Sequence, residues 1–396
     1  VWTTVPPSGV AADHRLADTF GRRVSSAGEV LDSAAIPLGV AHWHQSQPSI
    51  GYDSGRFLVA WEETGNKVAA RLMAREAPPP PPTGSVGGPL DGGWVAENNP
   101  VPGGFYADVH AIDSEHAYAG GGVPWPISTN HIVKRDASGW SVDYVPTYGT
   151  PYGMWAGGPD DVWTTGWCAA AFHFDGTTWS TPTGCFPSED SIGENIWGDG
   201  EGTVLSANTN GLILRIDPTG HWQLDAQPVP NDLWDIWGIW RDDVWAVGAD
   251  ATVLHFDGLS WTKVASIPSF QSINGISGSS SDNVFAVGDF GTLLHWDGTT
   301  WTAQESGTLR HLFDVWVASP DEAYAVGLGG MILHYESGVW VTEDAGTTNA
   351  LLGVSGVRDL ASGVMAVWVT GDGVLLRTEK PLEIVHLFLP LVLRSH

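Results

Sequence analysis

The hydrophobic positions in the middle of the chain fall into short runs that end in glycine or aspartate. In one unit, Asp243-Val-Trp-Ala-Val-Gly248 is followed by Thr252-Val-Leu-His-Phe256. β-Branched and aromatic residues fill both runs, as they do in half-buried strands. Asp257-Gly258 then supplies a hairpin turn before Trp261, because glycine accepts a positive φ without a steric penalty. With residues 233–238 upstream, the unit is predicted to form four antiparallel strands, a to d.

This unit recurs along the chain with an almost constant period. Asn283-Val-Phe-Ala-Val-Gly288 and Glu322-Ala-Tyr-Ala-Val-Gly327 both repeat strand b. The Trp of strand d recurs at spacings of 39, 43, 39, 40 and 39 residues, at Trp140, Trp179, Trp222, Trp261, Trp301 and Trp340. A four-stranded sheet repeated every ~40 residues is typical of a propeller blade, so the sequence predicts an all-β propeller.

The last unit lacks its fourth strand, and an unmatched fourth strand precedes the first unit. Six units are complete, and the seventh stops after its strand c at residues 373–377. Asp91-Gly-Gly-Trp94 has the turn and the Trp of a strand d, with no strands a to c before it. Placing this segment in the last unit removes the free sheet edge that the incomplete unit would otherwise have. We therefore predict a seven-bladed β-propeller closed by strand exchange.

The chain before the propeller has a different character. Residues 78–82 are five consecutive prolines, so 78–90 is interpreted as a stiff linker to a propeller at 91–381. In residues 1–77, Phe20-Gly-Arg-Arg-Val24 aligns with Val68-Ala-Ala-Arg-Leu72 at an offset of 48. This segment is predicted to be a partial, blade-like β-repeat left from a second propeller-type array. Because residue 1 would fall inside a repeat, we expect a longer natural precursor.

Charge and hydropathy narrow the choice of partners. The chain has 45 acidic and 17 basic residues, a formal net charge of −28. Nucleic acids and anionic membranes bind basic surfaces, so neither is expected as a partner. The longest apolar run, residues 387–393, is interrupted by Pro390, whereas a spanning helix needs about 20 residues, so no transmembrane segment is expected. The aliphatic tail 382–396 is interpreted as an anchoring or sorting signal, or as a strand packed on the propeller.

The repeats resemble those of a known group of proteins. Asp-Val-Trp-Ala-Val-Gly and Asp-Gly-x-x-Trp are similar to the propeller repeats of secreted bacterial proteins over residues 91–380. More loosely they resemble sialidase-type Asp boxes, although the spacing here is one residue shorter. The resemblance implies the fold and a secreted or cell-surface location, and it implies no activity.

Two cysteines are present, Cys168 at the end of strand b and Cys185 at the end of strand d in the second unit. Strands b and d run in the same direction, so both ends reach the same face. Because secretion favours oxidation, the sequence predicts a disulfide between them.

Three sets of residues recur at equivalent positions, and each has a structural and a functional interpretation. The histidines before the strand c aromatic suggest metal, but hydrogen bonding inside each blade is favoured. The channel acids and amide on strand a suggest a cation in the central channel, but hydrogen bonds to neighbouring blades are favoured. The strand a tryptophans suggest sugar stacking, but wedging between blades is favoured. The three sets are His173, His255, His295 and His334; Asp108, Asn195, Asp235 and Asp314; and Trp155, Trp197, Trp237 and Trp316.

The candidate ligand site lies where the sequence departs from the repeat. The b–c connection of the first unit contains an insertion with an aromatic, two prolines and polar side chains. We expect the ligand on the face of the b–c and d–a connections, and the alternative is that Trp125 only packs over the insertion. The candidate residues are Trp125 and Asn130 in the insertion, Trp167 in the next unit, and Tyr148 and Tyr152 in the connection between the two units.

The sequence favours a secreted or cell-surface, non-enzymatic binding or scaffolding propeller whose partner is a polysaccharide or a surface protein. No nucleophile elbow, phosphate loop or metalloprotease helix is found, and no catalytic residue, metal ligand or cofactor is assigned. One alternative is an extracellular glycosidase or lyase with carboxylates at the channel mouth. Another is a structural component of a surface layer or filament.

Overall fold

The computed structural model describes residues 93–382 apart from 124–128, 148, 168–169, 184–191, 217–220 and 337, together with five strands between residues 19 and 74. The described residues are almost entirely β, with two single-turn 3-10 helices at Thr209–Gly211 and Asp289–Gly291. None of their helices has the length and hydropathy needed to cross a membrane. The predicted all-β fold is confirmed.

The N-terminal strands form two small sheets. One sheet pairs β1 with β2, and the other has the order β3, β4, β5 with antiparallel neighbours. The blade-like origin of this segment stays a prediction, as do the domain boundaries. The strands are β1 (Thr19–Gly21), β2 (Ile36–Gly39), β3 (Ser46–Asp53), β4 (Arg56–Glu63) and β5 (Lys67–Ala74).

The propeller consists of seven four-stranded antiparallel sheets, numbered here as blades 1 to 7 in chain order. Strand a of each blade contacts strand a of the next blade, and the contact between blades 7 and 1 completes the ring. The strands are β6 (Val95–Ala96), which belongs to blade 7; β7 (Phe105–Ala111), β8 (Ala117–Val123), β9 (Thr129–Asp136) and β10 (Gly139–Tyr144) in blade 1; β11 (Pro151–Gly158), β12 (Asp161–Gly166), β13 (Ala171–Phe174) and β14 (Trp179–Thr183) in blade 2; β15 (Gly193–Gly198), β16 (Val204–Asn208), β17 (Ile213–Ile216) and β18 (Trp222–Ala226) in blade 3; β19 (Leu233–Trp240), β20 (Asp243–Gly248), β21 (Thr252–Phe256) and β22 (Trp261–Lys263) in blade 4; β23 (Ile273–Ser280), β24 (Asn283–Gly288), β25 (Leu293–Trp296) and β26 (Trp301–Ala303) in blade 5; β27 (Leu312–Ser319), β28 (Glu322–Gly327), β29 (Met331–Glu336) and β30 (Val339–Asp344) in blade 6; and β31 (Leu351–Asp359), β32 (Val364–Gly371) and β33 (Leu375–Pro381) in blade 7.

The ring closes by strand exchange, as the sequence predicts. Strand β6 pairs with β33 through Val95 and Arg377, and the Glu97 N–H donates to the Leu375 carbonyl over 2.9 Å. The Trp94 indole N–H donates to Glu343 Oε2 of blade 6 over 2.6 Å. The residues before the first complete unit are therefore the outer strand of the last blade.

The closing segment also contacts blade 1. Glu97 accepts a hydrogen bond from the Trp140 indole N–H over 2.6 Å and lies 3.2 Å from the guanidinium of Arg135. Asn98 exchanges two hydrogen bonds with the backbone of Trp140, over 2.7 and 3.0 Å. Residues 94–98 thus join three consecutive blades, which makes them a determinant of ring stability.

The core lies between the blades, where tryptophans pack on glycines. A Cβ atom added to Gly198 would lie 2.8 Å from the Trp155 ring of the previous blade, and one added to Gly238 would lie 2.9 Å from the Trp197 ring. Gly278 and Gly356 lie against Trp237 and Trp316 in the same way. The strand a tryptophans therefore pack as wedges between blades, which is the interpretation that the sequence favoured.

The recurring histidines make their contacts inside their own blades. His255 Nε2 lies 2.8 Å from Asp243 Oδ1, and its ring stacks on Trp245 with centroids 4.1 Å apart. The other three repeat this arrangement with Asp161, Asn283 and Glu322. Among the described residues, no three His, Cys, Asp or Glu side chains lie together as a metal site requires. The favoured interpretation of the histidines, local hydrogen bonding, is confirmed.

Candidate functional site

The propeller has two faces, and strand a fixes their direction. In every blade strand a begins at the d–a connection and ends at the a–b turn, so the d–a and b–c connections share one face. We call this the entry face. The sequence analysis predicted the ligand site on this face.

A ring of seven strand a residues surrounds the central channel at the entry face. Together with Phe105 and the residues below them, they line a cavity of about 260 Å³. All seven side chains are partly exposed, and three of them are aromatic. We call this set the mouth ring: Ala107, Tyr152, Glu194, Trp234, Asn274, Phe313 and Leu352.

The next residue on each strand a forms a second level, which we call the acid tier. Asp108 accepts hydrogen bonds from the N–H of Val109 and from the N–H of Met154 in the following blade, over 2.7 and 2.8 Å. Asp235 and Asp314 make the same two contacts within their own blade and with the following one. Asn195 instead donates to Asp235 over 2.6 Å. The acid tier consists of Asp108, Gly153, Asn195, Asp235, Gly275, Asp314 and Gly353.

Glycines alternate with the acids in this tier because neighbouring blades approach closely there. A Cβ atom at Gly153 would lie 2.4 Å from the Asn195 Cα, and one at Gly275 or Gly353 would lie 2.8 Å from the Cα of Asp314 or Asp108. The backbone N–H that donates to each carboxylate from the following blade belongs to the residue after one of these glycines. The channel acids therefore hold neighbouring blades together, which is the interpretation the sequence favoured over a cation site.

Burial governs the ionisation of the acid tier. It raises the pKa of Asp108 and of Asp235 to about 7, against hydrogen bonds from backbone amides that lower it. Burial also raises the pKa of Asp314 well above its usual range, and the charges of Asp108 and Asp235 raise it further. Since the charged forms are poorly solvated here, the tier has less than its full formal charge at neutral pH.

Glu194 is the one carboxyl group of the mouth ring. Burial raises its pKa to about 7, and the neighbouring carboxylate of Asp232 raises it further. Within the described part of the chain its carboxylate has no hydrogen bond or ion pair, in contrast to the acids below it. Its oxygens are therefore available to pair with a ligand.

A chain of contacts extends from the mouth ring to the outer part of the entry face. Asn274 donates to Asp289 Oδ1 over 3.2 Å, and His311 Nδ1 lies 2.7 Å from the same oxygen. The His311 ring then packs on Phe290, with centroids 5.0 Å apart. Phe290 is 56% exposed and has a positive φ of 54°. The equivalent residue of the following blade, Gly329, has a positive φ too. The equivalent Asn210 of blade 3 also has a positive φ, so this conformation belongs to the repeated turn, and the exposed aromatic side chain is what distinguishes Phe290.

The entry face exposes further large apolar side chains in its connections. Leu309 and Phe270 in the d–a connections are 82% and 97% exposed, and Leu328 in a b–c connection is 44% exposed. Exposed apolar and aromatic groups around a cavity are typical of protein-binding surfaces.

Of the residues that the sequence analysis proposed for a ligand site, Asn130, Tyr152 and Trp167 are described; all three lie close to Thr150, and their role as a site stays a prediction. Tyr152, expected in a connection, lies on strand β11 and lines the channel mouth. Trp167 is 58% exposed at a b–c connection, and Asn130 accepts a hydrogen bond from the Thr150 hydroxyl over 2.8 Å. Trp125 and Tyr148 lie outside the described residues, as do Cys168 and Cys185 with their predicted disulfide.

Sequence reasoning missed most of the mouth ring, including Glu194, Trp234, Asn274 and Phe313. A signal was present: when the strands a are aligned on the acid tier, the preceding position differs in every unit. The positions that follow the tier, by contrast, are Val, Ile or Met throughout. Departure from an internal repeat therefore identifies the mouth, provided that the position is known to face the channel.

Comparisons with known proteins support the fold. No family model and no curated protein matches the chain. It is similar to a structure of YCF48 bound to D1 peptide, with 16% identity over 72% of this chain and 96% of that one and a TM-score of 0.58. YCF48 from Cyanidioschyzon merolae is similar at 14% identity over 72% and 98%, with a TM-score of 0.56.

A third similar structure is the WD40 β-propeller domain of Doa1. It is 12% identical, the match covers 74% of this chain and 98% of that one, and the TM-score is 0.58. At such identities the likeness shows the propeller fold alone. The resemblance to sialidase-type Asp boxes remains a sequence-based prediction.

Proposed function

We propose that this chain is a non-enzymatic binding propeller that holds a segment of a partner protein on its entry face. The observation on which this rests is the mouth ring, where half-buried aromatics and an unpartnered acid surround a cavity of about 260 Å³. The channel positions just below it vary too, but they serve blade packing. Ligand binding is the best explanation for residues at the channel entrance that differ from blade to blade and do not serve blade packing.

The shape of the face favours a protein segment over a polysaccharide. A chain segment could cover the mouth and the exposed Phe290 together, since the Asn274–Asp289–His311 contacts connect them. Buried aromatic anchors contribute most of the binding energy in many protein interfaces. The peptide bound to the similar propeller YCF48 also supports this choice.

The arrangement of the acids supports a binding role over catalysis. A glycosidase needs two carboxyl groups that face the substrate as acid and as base or nucleophile. Asp108, Asp235 and Asp314 each accept two backbone N–H groups, which commits their oxygens to joining blades. Among the described acids that line the cavity, Glu194 alone keeps its oxygens free, which favours binding over an acid–base pair.

An extracellular or cell-surface location remains part of this proposal because of the resemblance of the repeats to secreted propellers. The net charge of −28 also suits a protein that binds basic partners. Fractionation of cells that express the full gene, followed by immunoblotting, tests the location. Retention of the protein inside the cell would contradict it.

The test of the binding function is selection of peptides from a random 12-residue display library on the immobilised full chain. Synthetic versions of the selected peptides are then titrated by calorimetry against the wild type and against Trp234→Ala and Phe290→Ser. Leu259→Ser, which removes an apolar side chain that is 90% exposed at a c–d turn on the opposite face, is the matched control. Thermal melts confirm that each variant is folded.

We expect both entry-face variants to weaken peptide binding about tenfold or more, as the loss of an aromatic anchor does, and the control to bind normally. Selected peptides that bind every variant equally would place the interaction elsewhere. A glycan array run in parallel covers the alternative partner. Binding of a polysaccharide that Trp234→Ala abolishes, without any selected peptide, would overturn the proposal in favour of a carbohydrate-binding propeller.

A further inference from the structure

We infer that the channel mouth is a specific site for one cationic side chain, an arginine or lysine, of the bound segment. This inference deepens the proposed function and rests on it. The cavity lies between the mouth ring and the acid tier, and its lining combines aromatic faces, an unpartnered carboxylate and buried acids.

The charges around the cavity all have one sign. Glu194 and the acids Asp108, Asp235 and Asp314 line it, and the lining includes no Lys, Arg or His. In a water-poor recess, a negative charge attracts a cation more strongly than the same charge does on an open surface. A cation entering the mouth therefore gains electrostatic energy that an anion or a neutral group does not.

Glu194 is the group that would contact the cation directly. The acids of the tier below accept hydrogen bonds from backbone or side-chain N–H groups, whereas no described group contacts the Glu194 carboxylate. The nearby charge of Asp232 makes an isolated negative charge on Glu194 still less favourable. A guanidinium or ammonium group would supply the missing partner, and such charge-assisted hydrogen bonds are the strong ones.

The aromatic walls suit the same ligand. Tyr152, Trp234 and Phe313 are partly exposed around the cavity. A cation near an aromatic face is attracted by the ring quadrupole, most strongly by tryptophan. The aliphatic part of an Arg or Lys side chain would pack on the same rings while its charged end reaches Glu194.

The size of the cavity suits a single side chain. Its volume of about 260 Å³ is below the range of about 300–1,000 Å³ that is usual for drug-sized ligands. A neutral sugar unit has no positive charge to pair with Glu194. The site would therefore recognise partner segments that have a basic residue at the position that enters the cavity.

Binding should depend on pH in a defined direction. The acids that face the cavity are Glu194, Asp108, Asp235 and Asp314, with Asp232 behind Glu194 and Tyr152 beside it. Because burial raises the pKa of Glu194 to about 7, this group is partly protonated at neutral pH, and a cation prefers its charged form. Affinity should rise between pH 6 and pH 8.

The experiment uses the full chain and the peptides selected for the proposed function. Each basic residue of the tightest peptide is replaced in turn by citrulline or norleucine, which keep the length but remove the charge. Nα-acetyl-arginine amide at millimolar concentration is tested as a competitor, with Nα-acetyl-citrulline amide as its control. Glu194→Gln is compared with Glu305→Gln, which makes the same charge change at an exposed residue of a d–a connection.

We expect one basic residue of the peptide to be essential, with a loss of about tenfold or more on neutralisation, as for a charge-assisted hydrogen bond. Glu194→Gln should give a similar loss and should reduce the pH dependence, leaving the part that Asp108 and Asp235 contribute, and Glu305→Gln should change neither affinity nor pH dependence. Peptides that bind through the mouth but tolerate neutralisation of every basic residue would overturn this inference and leave the proposed function standing. Failure to select any entry-face peptide would overturn both.

Discussion

The mouth ring and the acid tier lie one residue apart on the same strands, yet they vary around the propeller in different ways. In the acid tier each departure from the repeat is matched by the neighbouring blade: Asp108 lies next to Gly153, Asp235 next to Gly275, and Asp314 next to Gly353. In the mouth ring no such matching is found among the described residues. Matched departures maintain packing, and unmatched ones in a cavity wall indicate a ligand.

The same matching is found on the outer strands. The Trp179 indole donates to Asp143 over 2.6 Å and the Trp261 indole donates to Asp225 over 3.1 Å, each acid lying three residues after the Trp of the preceding blade. Trp94 and Trp140 make the equivalent contacts with Glu343 and Glu97. Where that position is Pro182, Val264 or Gln304, the indole N–H of the next blade has no described partner, as at Trp222, Trp301 and Trp340.

The largest expected effect separates two tryptophans of strand a. Trp197→Ala removes a side chain that is 6% exposed and packs on Gly238 of the next blade, so the free energy of unfolding should fall by about 3–5 kcal/mol. Trp234→Ala in the mouth ring should cost clearly less stability while it weakens peptide binding. Urea denaturation followed by circular dichroism measures the stability of the two variants. Equal losses of stability would remove the distinction between the two levels.

A smaller loss is expected from filling a glycine of the acid tier. A Cβ atom at Gly153 would lie 2.4 Å from a backbone atom of the next blade, which cannot move alone. Gly153→Ala should therefore lower the free energy of unfolding by about 1–3 kcal/mol, as overpacking does. Gly158→Ala, where the nearest atom would lie at 3.6 Å, is the control and should change little. A tolerated Gly153→Ala would show that blade spacing does not require the alternation.

The junction that closes the ring should make stability depend on pH. Burial alone would lower the pKa of His334, but Glu322 and Glu343 raise it to about 9, and Glu343 also accepts the Trp94 indole. A raised folded-state pKa gives stability that is complete below the unfolded value of about 6.5 and is lost as pH rises through about 9. Thermal melts from pH 6 to 10 should show this decline, and His334→Gln should flatten it. An unchanged slope in the variant would assign the decline to other groups.

The smallest expected effect is a gain. Gln304→Glu would place a carboxylate three residues after Trp301, the position at which other blades have one. In those blades the carboxylate accepts the indole N–H of the next blade, which here is the unpaired indole of Trp340. A hydrogen bond to Trp340 should raise the free energy of unfolding by about 0.5–1.5 kcal/mol. Gln271→Glu, an equal charge change at an exposed position, is the control. No gain over this control would show that the pattern has no energetic value.

The repeat itself made most of the fold predictable. The Asp-Gly turns and the periodic tryptophans are local signals, and the orphan strand at Trp94 could be matched with the incomplete last unit by counting alone. The packing roles of His255 and Trp197 were also anticipated, because residues at the repeat period serve every blade equally. Tyr152 was assigned to a connection because nothing in its own unit marks where the strand begins.

The sequence by itself determined the number of blades, the strands of each blade and the way the ring closes, since these follow from local turn chemistry and from a count of complete units. Only the tertiary structure decided which side chains meet at the channel mouth. Ala107, Tyr152, Glu194, Trp234, Asn274, Phe313 and Leu352 are separated by about 40 residues each along the chain, and they have no residue type in common. Their proximity exists only because the closed ring brings the start of every strand a to one axis.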